Sequence, residues 1–266
     1  MTATSPTVAA STTSRPARRV PAWILRLGLV LAFIAVWQVC VATELLNPLS
    51  VSAPLDCFRH LPEVLSTGQF WSDLGRTSQT TVTAFVAAVI IGLTVGAILN
   101  RYPTLRNIIE PYLVGAYAVP VIVFYPTFLV VFGIGTIPIM ITAFLMAVVP
   151  VIVGTVVGLG ELRPTHRKLA HSLGCSPLQG LTKILLPSAL PLLLPGVKLA
   201  FVYALAATVG VEFIVADRGL GFRIGESYRN FDGVDMYTYI VIMVIIAAAV
   251  NSAFNALERL LRKDLA

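Results

Sequence analysis

Charge is scarce in this chain of 266 residues. Asp, Glu, Lys and Arg together make up 12% of it, about half the share of a soluble domain. So little charge excludes an ordinary water-soluble protein. No G-x-x-x-x-G-K-[ST] occurs, so the chain is not expected to bind ATP in the Walker manner. Cysteine is limited to Cys40, Cys57 and Cys175 with no C-x-x-C, which excludes a zinc-type cluster. The expected topology keeps the three apart, so no disulfide is expected. Histidine is equally sparse, and His60, His166 and His171 show no metal-ligand spacing with carboxylates. His166 and His171, five apart, point to different sides of a helix and read as solvated loop residues. No cofactor, metal or embedded catalytic constellation is expected.

What the chain has in abundance is apolar surface: 57% of residues are hydrophobic and the mean hydropathy is +0.85. A helix needs about 20 apolar residues to cross the hydrocarbon core. Six runs qualify: Trp23–Ala42, Thr80–Leu99, Tyr112–Phe132, Ile137–Leu159, Leu192–Val211 and Tyr237–Ala256. Pro120, Pro126, Pro138 and Pro150 soften the third and fourth, because proline removes a backbone donor and kinks a helix. Lys198 and Asn251 lie inside the fifth and sixth without breaking them. The Lys198 stem is long enough to carry its ammonium to the interface.

The distribution of charge sets the expected topology. Basic residues before or at the start of the first run (Arg15, Arg18, Arg19, Arg26), between the second and third (Arg101, Arg106), between the fourth and fifth (Arg163, Arg167, Lys168, Lys183) and after the sixth (Arg259, Arg262, Lys263) number 13. The other side has five: Arg59, Arg76, Arg218, Arg223 and Arg229. The positive-inside rule then places both termini and the 161–187 loop in the cytoplasm. In so apolar a chain these cations are a topology signal and not a nucleic-acid surface.

The expected organisation has three parts. Residues 1–20, rich in Thr, Ser, Ala and Pro, read as a disordered cytoplasmic tail. Residues 21–49 carry the first span, too long for the h-region of a cleaved signal peptide. Residues 50–266 form the main transmembrane domain. Residues 43–73, mixed in composition, read as an external segment lying along the membrane surface into the second span.

The loop from Glu161 to Pro195 interrupts the apolar pattern most sharply. Pro164 suits a first helical turn, and Gly174 the left-handed residue that ends a helix. Ser176-Pro177 offers an N-cap and a first-turn proline for a second helix, which Pro187 is expected to close. Leu169 and Leu173 stack at i, i+4 in the first; Leu178, Leu181 and Leu185 line a face of the second. Two short amphipathic helices with cations opposite form a docking surface for a soluble partner.

The run Ala170-x-x-x-Gly174, then Leu186-Pro187 and Pro191, resembles the cytoplasmic EAA loop of ABC importer permeases. Leu74-Gly75-Arg76-Thr77, Gly92-x-x-x-Gly96, Glu110-Pro111, Phe132-Gly133-Ile134-Gly135, Glu212, Gly219-Leu220-Gly221 and Glu258-Arg259 also fall where the nitrate/sulfonate/taurine branch has similar residues. The resemblance covers about residues 50 to 265. Lys168 stands where that motif has Glu, and Leu169 where it has the first Ala. It implies an all-α membrane protein of the MetI-like permease fold, with about six transmembrane helices and a coupling-helix loop. That loop would dock an ATP-binding cassette ATPase through Arg163, His166, Lys168, Leu169, Ala170, Leu173, Gly174, Leu186 and Pro187. It also implies an external solute-binding protein, a second permease copy related by a two-fold axis, and a small anionic solute such as sulfonate, taurine or nitrate. Membrane lipid would surround the spans.

Two other features stand apart from the loop. Gly92 and Gly96 have the small-x-x-x-small spacing that permits close helix contact. Glu212 ends the fifth run, where a carboxylate is costly and often functional. It is expected either to cap the span at the interface, to pair with Arg218 or Arg223, or, by resemblance, to serve with Gly219 and Gly221 at a translocation gate. A secondary transporter or channel working alone would need buried ion-coupling groups mid-span, and those positions are nearly all apolar, Gly, Ser or Thr.

Overall fold

A computed structural model describes residues 22–45, 51–162, 172–180, 183–184 and 186–263. The 1–20 tail lies outside the described residues. Every regular element among those described is helical: α1 Ala22–Ala42, α2 Pro54–Ser66, α3 Gly68–Arg101, α4 Pro103–Ala118, α5 Tyr125–Phe132, α6 Thr136–Gly160, α7 Leu186–Val215, α8 Leu220–Arg229 and α9 Gly233–Lys263. A helical turn at Pro177–Gly180 and a 3-10 turn at Val121–Phe124 complete the set.

Among the described residues α3, α6, α7 and α9 hold apolar stretches long enough to cross a membrane. The apolar stretch Leu27–Ala42 in α1 is shorter. About six spans were expected, and the third is the correction. It is no single rod: α4 and the segment Val121–Phe132 meet at a bend of 81°. Val119 is extended (φ −91°, ψ 118°), as the residue before a proline prefers, and Pro120 has no N–H with which to continue the helix. Among the described residues four helices are long and apolar enough to span, or five spans result if the bent pair counts as one. After α5 the chain turns at Gly133 (φ +76°) and Gly135 (φ +156°), left-handed conformations that glycine adopts most readily.

The core is built by α3, α6 and α7. Lipid is as apolar as leucine, so helices in a bilayer associate through close packing, and small residues permit it. A Cβ on Gly92 would lie 2.6 Å from Val151 Cβ, and one on Gly96 2.5 Å from Thr155 Cβ. The glycine pair is therefore a close-packing face of α3 against α6, as its spacing suggested. Where α6 crosses α7, a Gly154 Cβ would sit 3.0 Å from Gly196 Cα. Ala88, Ala147, Ala200 and Ala204 fill the surrounding core with Val151 and Ile152.

Helix α3 begins twelve residues before the expected span, because polar residues 68–79 continue the same helix. Thr67 caps it, its Oγ1 accepting from Phe70 N–H at 3.2 Å. With 34 residues the helix is about 51 Å long, well beyond the bilayer's hydrocarbon core. This polar extension carries Asp73 and Thr77. Helix α2, in the segment expected to lie along the surface, packs Val64 against the cluster of Phe70, Leu220, Ile224, Tyr239 and Ile242.

Candidate functional site

The molecule has two polar ends. At one, α8 folds back across the end of α7. Glycines form its contact face: a Cβ on Gly221 would stand 2.3 Å from the Val209 carbonyl oxygen, and one on Gly225 2.4 Å from that of Phe213. A helix N-terminus leaves its first N–H groups without helical partners. Gly219, at the cap position, has no side chain to satisfy them, and residues from two other helices do so instead. Gly219 N–H donates to Asp73 Oδ1 (3.0 Å), Leu220 N–H to Thr77 Oγ1 (2.9 Å) and Gly221 N–H to Glu212 Oε2 (3.1 Å). Thr77 Oγ1 in turn donates to Glu212 Oε2 at 2.8 Å. Both carboxylates are buried, at 1% exposure each, and face the positive end of the α8 dipole.

This geometry corrects one expectation. Glu212 does not pair with Arg218 or Arg223; Arg223 Nε instead bonds Asp73 Oδ2 at 2.6 Å, and its Nη1 bonds Glu226. Gly219 (φ +113°) lies against the Glu212 carboxyl, where a Cβ would come within 2.5 Å of Cδ. The structure thus brings Glu212, Gly219 and Gly221 together and adds Asp73 and Thr77. Sequence reasoning missed Asp73; the available signal was its i, i+4 spacing to Thr77 on one face of α3. Close by, His60 joins α2 to α9, with Nδ1 3.0 Å from Glu63 and Nε2 3.3 Å from Asp235.

The other end carries the loop. Arg163, His166, Lys168, Leu169 and Ala170 lie outside the described residues, as does the expected first docking helix except for its end at Leu173 and Gly174. Leu173 is 64% exposed, and Gly174 has φ +63°, the left-handed value expected of a helix-ending glycine. Ser176 and Gln179 cap each other: Gln179 N–H donates to Ser176 Oγ (3.3 Å) and Ser176 N–H to Gln179 Oε1 (3.1 Å). Leu186 and Pro187 open α7 instead of closing the preceding helix, a correction that follows from proline's fit to a first turn. Next to the loop's two roots, Leu162 packs with Leu159, Ala189 and Leu193 on Leu93 and Ala97 of α3. The described roots of the loop therefore sit on the tight α6–α7 pair.

A polytopic helical membrane protein, with an exposed Leu173 before a left-handed Gly174 and no nucleotide-binding motif in its sequence, is the class these features define. Residues 84–266 match the model of the family described as the binding-protein-dependent transport system inner membrane component, and the chain belongs to that family. It is 28% identical over 241 residues to the taurine transport system permease protein TauC of Escherichia coli (strain K12), spanning 88% of this chain and 87% of that one. To the nitrate import permease protein NrtB of Synechococcus elongatus it is 25% identical over 233 residues, 85% and 83% of the two chains. Among solved structures, an inward-facing conformation of the MetNI methionine ABC transporter superposes with a TM-score of 0.65 at 20% identity, covering 73% of this chain and 96% of that one. The chain is a multi-pass inner-membrane permease subunit of an ABC importer. It works with a separate ATPase subunit, which hydrolyses ATP, and with a solute-binding protein.

Proposed function

We propose that two copies of this permease pack about a two-fold axis and form the path between them for a small anionic solute, a sulfonate, taurine or nitrate. The relatives that transport taurine and nitrate support the solute class. Closed two-fold symmetry is the favoured way for one such chain to enclose a path. Both termini and the 161–187 loop face the cytoplasm, and the loop receives the ATPase through Leu173, Gly174 and the segment before them. The observation that carries this reading is the exposed Leu173 beside a left-handed Gly174, with the loop's roots locked into α6 and α7. On ATP binding, closure of the ATPase dimer moves the loop, the α6–α7 pair moves with it, and the path opens outward. Glu212, Gly219 and Gly221 then hold the outer end, where α8 is tied to α3 and α7 at a gate. Lipid contacts the exposed apolar faces of α1 and α9.

Topology can be tested with the native cysteines. Cys175 is half-buried in the loop, whereas Cys57 in α2 is fully buried and burial pushes its thiol pKa up, so little reactive thiolate is present there. With Cys40 replaced by serine, an impermeant maleimide should label Cys175 in inverted vesicles and leave it unlabelled in intact cells. Labelling of Cys175 from outside would reverse the orientation and remove the docking role.

A further inference from the structure

Phe231, in the turn between α8 and α9, is the most exposed large apolar side chain among the described residues, at 90%. Its backbone is left-handed (φ +58°), a conformation that bulky residues rarely adopt. The hydrogen bonds around it enforce that conformation. Phe231 N–H donates to the Tyr228 carbonyl (3.2 Å) and Asp232 N–H to that of Ser227 (2.9 Å), the Schellman pattern that closes a helix. Asp232 also caps α9, its Oδ1 accepting from Asp235 N–H at 3.0 Å. Phe231 thus holds the position where helices usually place glycine. The ring is kept there against backbone strain and gains little burial in return. A residue that breaks a local rule without stabilising the fold points to a use outside it.

The surroundings narrow what that use is. Asp232 and Asp235 separate the ring from the apolar run that begins at Tyr237, which sets it on the aqueous side of the membrane surface. Tyr228, 62% exposed, precedes it in α8 with its ring against Phe213 of α7. Arg229 lies over the Phe222 ring at 5.8 Å and forms no ion pair among the described residues. Exposed aromatic rings beside an arginine, with polar groups around them, are the residues that anchor protein–protein contacts. A ring fixed in one direction suits a shaped socket, because it is ordered before the partner arrives; a fluid lipid surface gains nothing from that.

We propose that the α8–α9 turn, with Phe231 as the anchor beside Tyr228 and Arg229, is a docking point for the importer's solute-binding protein. The surface it fits is an apolar socket with a carboxylate placed for Arg229. Because α8 begins on Asp73, Thr77 and Glu212, a protein seated on this turn bears on the same junction. The proposal rests on the reading that the 161–187 loop is cytoplasmic, which puts this end of the molecule outside, and its test separates the two.

The assembled importer, in phosphatidylcholine nanodiscs without ATP, is titrated with its purified solute-binding protein. Phe231→Asn supplies a residue that tolerates the left-handed region, so the thermal midpoint should hold or rise. Binding should weaken at least about tenfold, the scale of an interface anchor. Arg229→Glu should weaken it too, and more at low salt than at high. Unchanged binding by Phe231→Asn would overturn the docking point; so would a loss matched by a lower midpoint, which would give the ring to the fold. With Phe231 replaced by the photoreactive p-benzoylphenylalanine, irradiation should cross-link the binding protein. Adducts only with a second permease copy, or only with lipid, would give the turn to that neighbour and overturn the proposal. Orientation is read separately: with Cys40 and Cys175 replaced by serine, Asn230→Cys should take an impermeant maleimide in intact cells. Labelling only in inverted vesicles would overturn the orientation and this docking point with it, whereas labelling from outside with unchanged binding by Phe231→Asn overturns the docking point alone.

Discussion

Glu212→Ala should detach the start of α8 from the bundle. The substitution leaves the Gly221 N–H without an acceptor and the Thr77 hydroxyl without its carboxylate, both buried. Each orphaned buried group costs about 1–3 kcal/mol, so a loss of roughly 2–6 kcal/mol is expected, seen as a lower midpoint in thermal unfolding of the purified permease. Thr77→Val breaks the same relay at its middle, so the double variant should lose clearly less than the sum of the two. Additive losses would mean the relay is not a unit. Gly221→Val provides an independent check, because its Cβ would collide with the Val209 carbonyl and lift α8 off α7 while every capping residue is kept. All three variants should abolish uptake if this end serves as the gate; unimpaired uptake by Glu212→Ala would remove that role.

The second large effect is expected at Gly174, with the opposite character. Among the described residues no atom lies within 4 Å of where its Cβ would be, so a side chain there meets no packing obstacle from them. The cost is conformational: φ is +63°, and a β-branched residue in that region is strained by about 1–3 kcal/mol. Gly174→Val should therefore leave membrane levels and thermal stability near wild type. The turn re-forms with a different angle, Leu173 is misplaced, and transport is lost together with recovery of the ATPase. Gly174→Asn is the control, since asparagine tolerates the left-handed region and should keep substantial transport. Lys168, outside the described residues, stands where the resemblance to the EAA loop implies Glu. If the ATPase offers an acidic site there, Lys168→Glu weakens the same complex.

Much of this was legible because it rests on local chemistry. Apolar runs announced the helices; four prolines marked the third and fourth runs as breakable, and the break falls at Pro120; Gly174 announced a left-handed helix end; Gly92 and Gly96 announced a close crossing. What stayed hidden depends on which helices meet. Arg223 was matched to Glu212 because they are close in the chain, yet its partner is Asp73, 150 residues away. Lys198 was expected to reach the interface by its stem length, but nothing in α7 alone shows that its ammonium meets Asn255 of α9. Residues 68–73 were read with the surface segment 43–73 because hydropathy measures membrane burial and not helix continuity, yet they begin α3. Pro187 sits equally well after one helix or at the start of another, and only the backbone decides.

Coupling through the loop is the central claim, and Cys175 tests it most directly. With Cys40 replaced by serine, benzophenone-4-maleimide is attached to Cys175 in inverted vesicles holding the assembled importer, and the sample is irradiated. The account predicts a cross-linked product containing the permease and the ATPase, whose yield changes when ATP is added and falls sharply in Gly174→Val. A labelled Cys175 that yields no ATPase adduct in vesicles still capable of ATP-driven uptake would contradict it.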